Sequence, residues 1–99
     1  MNLGEKQRAF SKALAQLILY AYEIGYEISM GDVWAKTGHK VNSNHYIRLA
    51  ADINLFKDGV YLTDGSGHDK LHDYWDTLGG AKRIDKDLNH YSFEYEGRR

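Results

Sequence analysis

The sequence predicts an α+β fold: a small antiparallel β-sheet of about four strands packed with two main helices, with a cleft on one sheet face. Three features support this. Phe10, Leu14, Leu17, Ala21 and Ile24 recur at three- and four-residue steps and form one apolar stripe. The run Leu49 to Phe56 is apolar and β-branched enough for a central strand, and Lys57-Asp58-Gly59 with Val60-Tyr-Leu62 completes a hairpin. From His90 to Glu96 the chain alternates, with Tyr91, Phe93 and Tyr95 facing one way and His90, Ser92 and Glu94 the other.

The elements follow in order. A first helix runs from about Glu5 to Gly25, where glycine supplies the stop; Lys6, Arg8, Lys12 and Glu23 lie largely off its stripe. Tyr26 to Trp34 reads as a strand with Ile28 and Met30 turned inward. Ala35 to Asn44 is polar, contains Gly38 and reads as a loop. On the central strand Asp52 and Asn54 share one face, and Ile53 and Leu55 the other. Thr63 to Gly67 is a second turn. His68 to Leu78 has helical spacing, with Leu71, Trp75 and Leu78 on one stripe and Gly79-Gly80 at its end. Ala81 to Asn89 is a charged connector, and the last strand puts His90 on its polar side.

The chain has 99 residues, which suits a single domain over 1–99. A domain of this size buries only about two-thirds of its unfolded surface, so a bound metal would add stability. Hydrophobic residues make up 42% and aromatics 13%, too much apolar mass for a disordered chain. A net charge of −1 provides no field to attract nucleic acid or acidic lipid. The absence of cysteine excludes disulfides, thiolate ligands and a cysteine nucleophile, leaving nitrogen and oxygen as metal donors. No stretch is long enough to insert in a membrane. Lys6, Arg8 and Lys12 before Ala13–Ala21 imitate a signal peptide, but Gln16 interrupts the run and no small-residue cleavage site follows. A monomer without signal peptide is expected.

The chemistry concentrates in His45 and Asp52, seven residues apart, and in Asp87 and His90, three apart. Two imidazoles and a carboxylate can hold Zn2+ and leave its fourth position for water, while a second carboxylate accepts a proton from that water. Asp52 stands in an apolar strand, and a carboxylate there needs a cation, a metal or hydrogen bonds. His68-Asp-Lys-Leu-His72 is a competing metal motif, with two histidines four apart on one helix face. Its aspartate is shorter than the glutamate of such helices, and the segment reads instead as a solvated face. Ile28 to Gly38 faintly resembles the start of a helix-turn-helix, but no basic recognition helix follows.

Ser43-x-His45-x-x-x-x-Ala50-x-Asp52, followed by Asp87-x-x-His90, resembles the M15 family of zinc peptidases. That family includes D-alanyl-D-alanine carboxypeptidases and dipeptidases and phage L-alanyl-D-glutamate endolysins. The likeness to phage-encoded members extends to Gly4-Glu-Lys-Gln-Arg-Ala-Phe10, to Arg48 through Gly59, to Tyr61-Leu-Thr-Asp64, to Tyr74-Trp75…Leu78-Gly79-Gly80 and to Asn89-His-Tyr-Ser-Phe-Glu94. The resemblance implies that His45, Asp52 and His90 bind zinc, that Asp87 is the general base, and that Ser43 orients a ligand. It also implies a peptidoglycan stem peptide as substrate, cut at an L-Ala-D-Glu or D-Ala-containing bond. Such a phage lysin is made in the host cytoplasm and acts on the cell wall after release.

Two positions depart from the family pattern. Many members carry glycine three residues after the first histidine, where this chain has Arg48; the phage-like subgroup shares the arginine. The family's oxyanion-binding arginine falls where this chain reads Trp34-Ala35-Lys36. Lys36 is the expected substitute, ahead of Lys40 and His39, although lysine lacks the two-pronged geometry of arginine. The alternative is therefore a catalytically weak or inactive zinc-stabilised cell-wall-binding module.

Overall fold

A computed structural model describes residues 1–99, and it contains two helices and a small antiparallel sheet of four strands. The order is α1 (Leu3–Glu23), β1 (Glu27–Met30), a short 3-10 turn (Asn44–Ile47), β2 (Ala50–Lys57), β3 (Val60–Tyr61), α2 (His68–Thr77) and β4 (His90–Ser92). No helix is long and apolar enough to cross a membrane.

Helix α1 starts two residues before the expected Glu5. Asn2 caps it: the Asn2 side chain accepts from Glu5 N, and the Glu5 carboxylate accepts from Asn2 N. Phe10, Ala13, Leu14, Leu17 and Ala21 are its buried residues, spaced to face one side. Both helices end on paired hydrogen bonds around a glycine at positive φ. In α1 Gly25 N donates to Tyr22 O and Tyr26 N to Ala21 O; in α2 Gly79 N donates to Asp76 O and Gly80 N to Trp75 O.

Strand β2 is the spine of the sheet. It pairs with β1 on one edge; on the other it pairs with β4 at Ala50–Asp52 and with β3 at Phe56–Lys57. Its alternation is as expected. Ala51, Ile53 and Leu55 are buried with residues of both helices, among them Leu17, Leu71 and Trp75, so the helices cover this face. Asp52 and Asn54 lie on the opposite face. The β2–β3 hairpin turns at Asp58 and Gly59, both at positive φ, which matches the twist of a two-residue connection.

The two outer strands are shorter than expected. β1 stops at Met30, although Gly31 N still donates to Asp52 O and Asp32 O accepts from Asp52 N before the chain leaves the sheet. Ile28 packs on the core, but Met30, expected inward, is 42% exposed: the packed core reaches Ile28 and not the end of the strand. β4 ends at Ser92 rather than Glu96. Phe93 N still bonds Leu49 O, and then Glu96 and Gly97, at positive φ, fold Tyr95 and Arg98 into a small closing bridge.

Gly80 sits where a Cβ would lie 2.1 Å from the Trp75 indole, whose Nε1 donates to Ser92 O at 2.9 Å. At Gly79 a Cβ meets nothing, and only its φ of 84° opposes a side chain. Gly80→Ala is expected to destabilise by about 3 kcal/mol through overpacking, and Gly79→Ala by only about 1 kcal/mol through backbone strain. Urea unfolding of the two variants checks the ranking.

Candidate metal centre

The β2–β4 register makes Asp52 and His90 direct cross-strand partners. Asp52 sends its backbone bonds toward Gly31 and Asp32, away from β4, so the pair is of the non-hydrogen-bonded kind in which side chains lie closest. His90 Nδ1 lies 3.5 Å from Asp52 Oδ1.

His45 reaches the same oxygen from the 3-10 turn, with its Nε2 at 3.1 Å. That turn is held at several points. Ser43 Oγ accepts from His45 N at 3.2 Å, so Ser43 orients the histidine through its backbone, as a cap. Arg98 donates to the carbonyls of Asn42 and Ser43, and the Asn44 side chain donates to those of Phe93 and Arg98. The C-terminal bridge thus fixes a turn far upstream in the chain.

Burial pushes the Asp52 carboxyl up, but hydrogen bonds and positive charge from His45 and His90 together outweigh it and hold the group well below the usual carboxylate range. The far ring nitrogens, His45 Nδ1 and His90 Nε2, are buried and have no protein partner. Each imidazole therefore directs one nitrogen at Asp52, and no protein group behind it fixes the tautomer.

A third imidazole joins them. His39 stacks on His45 at 4.0 Å, and its Nε2 lies 2.9 Å from Asp32 Oδ2. The Tyr46 hydroxyl clamps its backbone, accepting from His39 N and donating to His39 O. Donor atoms of His39, His45 and Asp52 all lie within 4.8 Å of one another, a group able to hold a metal ion. His90 stands outside that group and joins it through Asp52. The sequence offers no signal for His39 as a metal ligand, since it sits in an irregular loop with no periodicity to aim it.

His39, His45, Asp52, Asp87 and His90 line one cleft of about 410 Å³. Asp87 is exposed and shares a turn with His90, whose N–H donates to Asp87 O at 3.1 Å. Asp87 also borders a second cavity of about 400 Å³ that includes Asn54, Tyr61 and Asn89. Lys36, the expected oxyanion donor, does not line the cleft; its Nζ lies 5.6 Å from the centre of the Trp34 ring. Lys40 and Arg99 line it instead.

The competing helical motif is not a solvated face. His68 and His72 are buried and form no common site, because His68 Nδ1 meets the Tyr91 hydroxyl at 2.6 Å while His72 Nε2 donates to Leu88 O at 2.7 Å. Asp69 between them is exposed. The flanking acids of α2 face solvent, where Arg83 bridges Asp73 and Asp76. Comparison with family models, curated proteins and solved structures returned no match.

Burial pushes His68 down to about 4 and lowers His72 as well. A histidine with a depressed folded pKa binds more protons unfolded, so its contribution is complete above pH ~6.5 and is lost as pH falls toward the folded value. Stability is therefore expected to drop by about 2–3 kcal/mol between pH 7 and pH 4 from His68 alone. Urea midpoints across that window should show the drop, and His68→Gln should flatten it.

Proposed function

We propose that the protein is a zinc-dependent peptidase of the M15 kind that cleaves bacterial peptidoglycan stem peptides, as phage endolysins do. The observation that carries this reading is the convergence of His45 Nε2 and His90 Nδ1 on one oxygen of Asp52, at 3.1 and 3.5 Å, in a cleft shared with Asp87. Donors about 2.0–2.1 Å from a tetrahedral zinc stand roughly 3.3 Å apart, so the two spacings to Asp52 suit the metal, while His90 would close on it from outside the compact His39, His45 and Asp52 group. The left-handed backbone of Arg48, at φ 57°, also suits a position where many M15 peptidases carry glycine.

A zinc ion held by His45, Asp52 and His90 would lower the pKa of a bound water toward ~7 and polarise the scissile carbonyl. Asp87 accepts the proton of the attacking water and delivers it to the leaving amine. Arg99, with its fork of donors, and Lys40 line the cleft and would be the cations to face developing negative charge. The two cavities meeting at Asp87 leave room for residues on either side of the scissile bond.

One observation favours a second reading. His39 is a further donor beside His45 and Asp52, and four protein ligands would close the site, as in a zinc-stabilised binding module.

Metal analysis is expected to find about one zinc per chain, and alanine at His45, Asp52 or His90 to remove it. Asp87→Ala should keep the metal and lose hydrolysis by about 100-fold or more. Mass spectrometry of muropeptides after incubation reports the reaction and the bond. Bound zinc without cleavage of any muropeptide would favour the module, and a protein that takes up no zinc would exclude both readings.

A further inference from the structure

The helix histidines have no part in the chemistry above, yet one of them holds the turn that carries half of the site. His72 is fully buried, and its Nε2 lies 2.7 Å from the Leu88 carbonyl oxygen. A carbonyl only accepts, so Nε2 carries the proton and the unpartnered Nδ1 is bare. The ring lies flat on Tyr91, with centroids 4.1 Å apart and planes 12° apart. The Tyr91 hydroxyl in turn meets His68 Nδ1. His72 therefore has little freedom to turn.

Leu88 stands between Asp87 and His90. This turn has three other backbone ties, Asp87 N to Ile84 O, His90 N to Asp87 O and Ile53 N to Asn89 O, and none of them involves Leu88. His90 Nε2 has no protein partner, so no side-chain bond behind the ring aims it. In front, its Nδ1 meets Asp52 Oδ1 only at 3.5 Å, so the backbone that bears the ring sets how closely the two approach.

We propose that His72 is a positioning residue for the metal cleft: its Nε2–H anchors the Leu88 carbonyl and so sets where Asp87 and His90 stand relative to Asp52. A carbonyl left unpaired in this setting drives the turn to repack, and a shift near 1 Å at a reacting group can cost about 100-fold in rate. The consequence for catalysis rests on the zinc-peptidase reading; the anchoring itself does not.

The test uses the full chain with His72→Phe, which keeps the stack on Tyr91 but removes the donor, and His72→Gln, which restores a donor near Nε2. Nitrogen-15 NMR of the wild type is expected to place the ring proton on Nε2. In His72→Phe the amide signals of Asp87 to His90 should move, zinc affinity should fall about 10–100-fold, and kcat should fall with KM nearly unchanged. His72→Gln should recover most of each loss. A proton on Nδ1 in the wild type overturns the proposal even if His72→Phe does not fold. So does a folded His72→Phe with unmoved signals and unchanged zinc affinity, or a loss that His72→Gln fails to rescue. If the wild type neither binds zinc nor cleaves muropeptides, the peptidase reading fails while the NMR signals still decide the anchor.

Discussion

The antiparallel register between β2 and β4 is the constraint on which the rest of the structure depends. It sets Asp52 opposite His90 and Ala51 opposite Tyr91. A slip of one residue would turn His90 into the core and Tyr91 out to the cleft. Tyr91 is fully buried against His72 and Trp75, so the core resists that slip. The aromatic packing under the sheet thereby specifies the polar arrangement above it.

The sheet separates two tasks. Its lower face is sealed by both helices, and its upper face is left for irregular chain: the loop bearing His39, the turn bearing His45 and the turn bearing Asp87. Such segments have little packing of their own and need discrete ties. The ties come from distant parts of the chain, with Arg98 and Asn44 holding the His45 turn and Tyr46 holding His39. Arg48, at positive φ, lets the chain reverse from the turn into β2, and its guanidinium lies 4.4 Å over the Trp34 ring.

Periodic signals are legible in the sequence because burial imposes them. The α1 stripe, the β2 alternation and the Asp-Gly hairpin each repeat a rule over several residues. Asp52 keeps to the β2 alternation, on the face with Asn54, and stands out because it is a charge within an otherwise apolar run. Alternation misplaces Met30, since it describes a strand's two faces without saying how far along it the core extends. Spacing misplaces Lys36, since a flexible lysine is drawn to the nearest aromatic face, which no spacing encodes. The helical histidines look solvated beside Asp69, Lys70 and Asp73, yet a stripe drawn through Leu71 and Trp75 also passes through His68 and His72. That pattern is in the sequence, and only the polarity of imidazole hides it.

Asp52 ties the fold to the chemistry through its charge. A half-buried carboxylate facing two imidazoles is stabilised as the anion, so at neutral pH Asp52 would have no proton to lose to a cation entering the proposed site. His45 holds Asp52 by a hydrogen bond and His90 Nδ1 faces the same oxygen at 3.5 Å, contacts that a cation in the proposed site would replace. His45 and Asp52 already stand within the reach of one small ion, together with His39, whereas His90 meets that group only through Asp52. Removing Asp52 alone would leave two imidazoles converging on an empty centre, whereas removing either histidine leaves the carboxylate one partner. The three side chains therefore act as a unit, with the strand-borne aspartate as its fixed point.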